Sequence, residues 1–124
     1  MSRVKIGILG CLGRMGKALT AATLDHPSVV LVGGTERADN PKIGSKILHP
    51  STGVETDVTI TEDAEHLMKI SDVVLDFTCP TATILHTTYA EKNKTPMVIG
   101  TTGLDADDEA NLKNASCENA LVYA

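Results

Sequence analysis

The stretch Val4–Gly16, VKIGILGCLGRMG, most limits what this chain can fold into. Val4, Ile6, Ile8 and Leu9 supply β-branched and aliphatic side chains suited to a strand buried on both faces. The apolar run stops at Gly10, Gly13 and Gly16. From Gly13 the spacing turns helical, with Met15, Leu19, Ala22 and Thr23 recurring on one face. Strand, glycine turn and helix in that order predict the opening of a βαβ unit, which winds right-handed into a parallel sheet.

Each glycine has a physical use in such a turn. Gly10 permits a sharp departure from the strand, a small second position lets backbone approach a pyrophosphate, and Gly16 lets the helix sit close against the strand. The free N–H groups of the helix N-terminus, aided by its dipole, then suit phosphate oxygens. Leu12 stands where the dinucleotide fingerprint has its second glycine, so the motif alone leaves open a cofactor loop or a merely tight turn. Glu36 favours the cofactor loop. It lies 20 residues beyond Gly16 and just after a second apolar run, Val29–Gly33, where an acidic residue can bind an adenosine ribose hydroxyl. Arg37 follows directly, and a guanidinium suits a 2′-phosphate. Carboxylate and guanidinium together predict acceptance of either NADH or NADPH; the alternative is a solvated surface pair.

Composition narrows the remaining classes. A chain of 124 residues with 42% hydrophobic side chains forms one domain with a sizeable core, and 2% aromatic residues make that core aliphatic. The net charge of −5 and the absence of clustered Lys and Arg argue against nucleic acid as partner. No apolar run reaches membrane-spanning length and no signal peptide precedes the first strand, which predicts no membrane partner and a cytoplasmic protein. Cys11, Cys79 and Cys117 are odd in number and widely spaced, and read as thiols in a reducing compartment. Cys11 sits inside the glycine loop, where the helix N-terminus would lower its pKa, but it is given no chemistry. His26 ends the first helix; His49, His66 and His86 read as surface residues, and none has metal spacing.

Taken in order, the chain alternates. A strand Val4–Leu9, a helix Arg14–Leu24 and a strand Val29–Gly33 are followed by a long loop over Arg37–Asp57. A short strand Val58–Thr61 leads to a helix Asp63–Ile70, capped by Thr61 or Glu62. Asp72–Phe77 is an apolar strand, and after Pro80 a helix Ala82–Lys92 places Ile84, Leu85, Thr88 and Tyr89 on one face. The strand Met97–Ile99, a helix Ala106–Ala115 opened by Asp105, and a strand beginning at Ala120–Tyr123 complete the chain. The expected fold is an α/β, Rossmann-like, doubly wound parallel sheet with helices on both faces. Because the chain stops inside an element, it reads as part of a longer polypeptide. Ligands of such sheets bind beyond the carboxyl ends of the strands. That rule collects Gly10–Gly16, Glu36–Arg37, Phe77–Pro80 and Gly100–Gly103 on one edge. Phe77 is the only phenylalanine, placed to pack on a cofactor ring or in the core, and Gly100, Thr101 and Thr102 offer the groups that orient an amide-bearing ring, or ordinary turn chemistry.

Gly10-Cys11-Leu12-Gly13-Arg14-Met15-Gly16, Glu36-Arg37, Asp76-Phe77-Thr78 with Pro80, and Val98-Ile99-Gly100-Thr101-Thr102-Gly103 closely resemble the N-terminal domain of the 4-hydroxy-tetrahydrodipicolinate reductase (dihydrodipicolinate reductase) family. The resemblance spans essentially the whole chain. It implies that Gly10–Gly16 holds the pyrophosphate, Glu36 the adenosine ribose and Arg37 the 2′-phosphate of NADPH. Gly100–Thr102 would lie at the nicotinamide, and Ala124 would begin a further cofactor-contacting segment. It also implies hydride transfer from NAD(P)H to a cyclic dicarboxylate, 4-hydroxy-tetrahydrodipicolinate, giving tetrahydrodipicolinate for diaminopimelate and lysine biosynthesis. Catalytic and substrate-binding residues would lie in a C-terminal domain that also assembles a homotetramer. None of those maps onto this chain, which alone is expected to bind cofactor without turnover. The alternatives are a stand-alone nucleotide-binding redox sensor and the cofactor domain of another amino-acid dehydrogenase, such as an aspartate or homoserine dehydrogenase.

Overall fold

The computed structural model describes residues 3–100 and 121–123. Its elements run β1 (Val4–Leu9), α1 (Arg14–Asp25), β2 (Val29–Thr35), β3 (Lys46–Leu48), β4 (Glu55–Thr61), α2 (Ala64–Ile70), β5 (Val73–Asp76), α3 (Pro80–Asn93), β6 (Met97–Ile99) and β7 (Leu121–Tyr123). They build a seven-stranded sheet in the order β3-β4-β2-β1-β5-β6-β7. Every pairing is parallel except that of β3 with β4. The chain winds outward from β1 to β2 and β4, then returns to place β5 on the other side of β1. The order therefore reverses at β1, the topological switch point of a doubly wound sheet.

The double burial expected of Val4, Ile6, Ile8 and Leu9 holds only in the second half of β1: Val4 is exposed and Ile6 half-buried at the strand's start. Ile8 and Leu9 are both fully buried, but successive strand side chains point to opposite faces. Ile8 joins Leu31, Ile47 and Ile60 in a cluster closed by Leu19 and Leu24 of α1. Leu9 joins Val74, Met97 and Ile99 in a second cluster closed by Leu67 and Met68 of α2 and Ala90 of α3. Helices thus cover both faces, and the two clusters are mainly aliphatic, with Tyr89 packed against one and Cys11 buried in the other.

Helix α2 lies close to the sheet because the strand residues beneath it have no side chains. A Cβ on Gly7 would fall 2.7 Å from Leu67 Cδ1, and one on Gly33, the partner of Gly7 in the ladder, 2.5 Å from the same atom. Asp63 caps α2 by accepting the His66 N–H at 2.9 Å, in place of the expected Thr61 or Glu62.

Five other expectations are corrected. The loop over 37–57 contains β3 and the start of β4, an antiparallel hairpin turned at Gly53 (φ 73°) and tied by His49 N–H to Val54 O at 2.9 Å. β2 extends to Thr35, and α3 begins at Pro80 rather than Ala82. The buried stripe of α1 is Gly16, Thr20 and Thr23, while Met15 and Ala22 are exposed; the two threonine hydroxyls donate to carbonyls one turn back, Gly16 O and Leu19 O, at 2.7 Å each. The buried stripe of α3 is Thr83, His86, Thr87 and Ala90, with Leu85 and Thr88 turned to solvent. The helix expected over Ala106–Ala115 lies outside the described residues. Among the described residues no helix is long and apolar enough to cross a membrane.

Leu67 is the knob that both core glycines accommodate. Leu67→Ala is expected to lower the unfolding free energy by about 2–5 kcal/mol, read by denaturant titration. A cost below about 1 kcal/mol would mean that α2 does not depend on this contact.

Candidate functional site

The sheet register assembles the site. Thr61, Thr35, Leu9, Asp76 and Ile99 pair side by side across five parallel strands, so the residues that follow them leave the sheet along one rim. Those residues are Glu62, Glu36, Gly10, Phe77 and Gly100. Gly10, Gly13, Glu36, Arg37, Phe77 and Thr78 line one cleft of about 700 Å³ above the switch point, with Glu62, Cys79 and His86 also on its walls.

The glycine turn has the form that its residues predict. Gly10 has φ 77°, a left-handed conformation, and its N–H and that of Cys11 both donate to Thr35 O at 3.0 and 3.1 Å. A Cβ on Gly16 would collide with Gly10 O, so α1 rests directly on the turn's backbone. Gly13 is the N-cap and has no side chain to cap with, no acidic residue occupies the first turn, and the first helical bond runs from Lys17 N–H to Gly13 O at 2.8 Å. The N–H groups of Arg14, Met15 and Gly16 precede that ladder and are the donors an anion at this terminus would use. Arg14 and Met15 are exposed there.

Glu36 and Arg37 do not pair with each other. Glu36 Oε2 accepts the Leu12 N–H at 2.7 Å, which locks the end of β2 to the glycine turn. This bond also withdraws the Leu12 N–H from the donors left for a phosphate. The Arg37 guanidinium is solvated and reaches Asp39 at 3.3 Å, an exposed ion pair that a phosphate can readily displace.

Cys11 and Leu12 point away from the cleft and into a second cavity of about 490 Å³ on the α1 side. Cys11 is buried, and its thiol is pushed up to about 12, first by burial and then by the Glu36 carboxylate. This corrects the expectation that the helix N-terminus lowers it. Cys79, the N-cap of α3, is exposed; Cys117 lies outside the described residues.

The rim after β5 carries a network that sequence reasoning missed. Asp76 is fully buried; its Oδ1 accepts the Thr78 N–H at 3.0 Å and the Thr78 hydroxyl at 2.6 Å, and its Oδ2 lies 2.8 Å from His86 Nδ1. His86, expected at the surface, is buried on α3, and its side chain is 11% exposed where it reaches the cleft. His49 is also largely covered, 2.9 Å from Asp25. Phe77 packs its ring against Gly100, where any Cβ would overlap it, and Gly100 N–H donates to Asp76 O at 2.9 Å. Thr101, Thr102 and Ala124 lie outside the described residues.

The raised Cys11 thiol has a measurable consequence. An unfolded cysteine ionises near 9.0, whereas folded Cys11 holds its proton to about 12. Its contribution to stability is therefore complete below about pH 9 and is lost as pH rises toward the folded value. Urea unfolding of wild type and Cys11→Ala from neutral pH to about 11 should show an extra alkaline loss in wild type, at up to about 1.4 kcal/mol per pH unit. Parallel profiles would refute the buried thiol.

Residues 4–124 match the family described as dihydrodipicolinate reductase, N-terminus. The chain is 38% identical over its full length to 4-hydroxy-tetrahydrodipicolinate reductase of Laribacter hongkongensis, of which it spans 46%. It is 40% identical over 121 residues to the enzyme so named in Polynucleobacter necessarius, of which it spans 45%. The dipicolinate-bound dihydrodipicolinate reductase of Paenisporosarcina sp. TG-14 superposes over 93% of this chain and 42% of that one, with TM-score 0.68 and 25% identity. The WlbA dehydrogenase of Chromobactrium violaceum shares the fold at TM-score 0.74 and 12% identity, over all of this chain and 35% of its own. The chain spans about half the length of the curated relatives it matches, and it belongs to the dihydrodipicolinate reductase family, in the part that forms the N-terminus of its members.

Proposed function

We propose that residues 1–124 are the dinucleotide-binding domain of an NAD(P)H-dependent 4-hydroxy-tetrahydrodipicolinate reductase. One observation carries the reading: an uncapped α1 N-terminus rests on the glycine turn, and the Glu36 carboxylate is fixed to that turn through Leu12 N–H at 2.7 Å. The donors and the acceptor needed by a pyrophosphate and an adjacent ribose are thereby preset with respect to each other.

The residues present fit the group. The N–H groups of Arg14, Met15 and Gly16 and the bare Cα of Gly13 suit phosphate oxygens. Glu36 keeps acceptor capacity on Oε1 for a ribose hydroxyl, and the Arg37 guanidinium has donors beyond the one facing Asp39 for a 2′-phosphate. The nicotinamide end falls to Phe77, Thr78 and Gly100, together with Thr101, Thr102 and Ala124. Bound there, NAD(P)H supplies a hydride for reduction of a cyclic imine. The chain's own part is to bind the dinucleotide, orient its ring and exclude water from one side of it. The substrate, a cyclic dicarboxylate related to the dipicolinate held by the Paenisporosarcina enzyme, would be met by the remainder of the full-length protein, together with the contacts that assemble its subunits.

Calorimetric titration of the chain with NADH and NADPH tests this reading. Both should bind; Arg37→Ala should weaken NADPH by about 1–3 kcal/mol and leave NADH nearly unchanged, whereas Glu36→Ala should weaken both. Failure of a demonstrably folded chain to bind either nucleotide would refute the proposal for this chain.

A further inference from the structure

The cleft wall formed by Phe77, Thr78 and Cys79 is a turn between the end of β5 and the start of α3. Such a turn needs a fixed reference, and Asp76 provides it in two directions. Its main-chain carbonyl accepts Gly100 N–H from the neighbouring strand end at 2.9 Å. Its carboxylate holds Thr78 through two hydrogen bonds on Oδ1 and meets His86 Nδ1 on Oδ2. Thr78 Oγ1 also lies 3.4 Å from Thr83 Oγ1, itself fully buried on α3.

His86 lies six residues along α3 from Pro80, beyond the first turn, on the stripe that packs α3 against the core. Oδ1 already takes an N–H and an O–H, and with the carboxylate as acceptor His86 Nδ1 is the donor of the 2.8 Å bond to Oδ2. Charge-assisted bonds of this kind are short and directional, and a carboxylate removed from water depends on them. The imidazole therefore sets the plane of the Asp76 carboxylate, and the carboxylate sets the turn.

We propose that His86 is a positioning residue for the cleft: through Asp76 it latches the Phe77–Cys79 turn to the body of α3, and so holds Phe77 and Thr78 in the orientation that a bound dinucleotide meets. The inference rests on the cofactor reading for its ligand. The latch itself is a property of the chain alone.

Three variants separate the latch from bulk. In His86→Asn the side-chain amide nitrogen takes the place of Nδ1; in His86→Gln it falls near Nε2; His86→Leu removes both nitrogens. The readouts are amide hydrogen exchange at Thr78, NADH affinity by calorimetry, and the thermal midpoint. The asparagine variant should keep Thr78 exchange and NADH Kd within about 3-fold of wild type, while the glutamine and leucine variants exchange Thr78 and lose affinity by about 10-fold or more. A merely structural role would move both quantities in step with the thermal midpoint and would not split asparagine from glutamine, two polar variants that remain informative if leucine does not fold. Rescue by glutamine instead of asparagine, or Thr78 exchange unchanged in all three, would overturn the latch. A wild-type chain that binds no NADH would sink the cofactor reading alone, because the exchange series decides the latch without a ligand.

Discussion

Parallel pairing of the carboxyl end of β1 with a neighbour on each side is the constraint on which the molecule depends. Leu9 pairs with Thr35 on one side and Asp76 on the other, so strand ends far apart in sequence finish at one level. A single-residue slip of β1 would exchange Ile8 and Leu9 between the two cores and move Gly10 off the rim. Burial of two different apolar clusters thus fixes the position of the loop, which itself adds Cys11 and Leu12 to the cluster around Ile8. The stability of the cores and the geometry of the cleft are set by the same register.

Close backbone approach does the next part of the work. Where a chain has 2% aromatic residues, layers must be brought together by removing side chains as much as by filling space. Gly16 seats α1 on Gly10 O, Gly7 and Gly33 seat Leu67 of α2, and Gly34 leaves room for Cys11 and Ile47. The only phenylalanine is spent at the rim against Gly100, outside either core. Packing of this kind leaves main-chain N–H groups near the surface, which is what an anionic ligand requires.

Much of this was legible in the sequence because it rests on residues with few alternatives. A run such as Val4–Leu9 that ends in spaced glycines has few folds open to it, and Glu36 was placed by counting from Gly16. β3 was hidden because its pairing with β4, not its own three residues, makes it a strand, and Ile47 alone is buried in it. The latch was hidden for a different reason. A stripe of Thr83, His86, Thr87 and Ala90 hardly differs in polarity from the rest of α3, so periodicity pointed to Ile84 and Leu85. The available signal was the spacing of that stripe together with an aspartate closing an otherwise apolar strand. Polar burial is recognised by what pairs with it, and the pairing of Asp76 with His86 exists only once the turn has formed.

The antiparallel β3 has one further consequence, for the behaviour of the sheet's margin toward other chains. A parallel sheet that ended at β4 would offer a seven-residue strand as a template for an incoming one. β3 covers it with three residues whose register shifts between Lys46 and Leu48, and Lys46 Nζ bends back to Asp57 O and Thr59 Oγ1 at 3.2 and 3.1 Å. The margin is left short, irregular and charged, which discourages edge-to-edge aggregation. The hairpin thus guards solubility at that margin, at the opposite end of the sheet from β7.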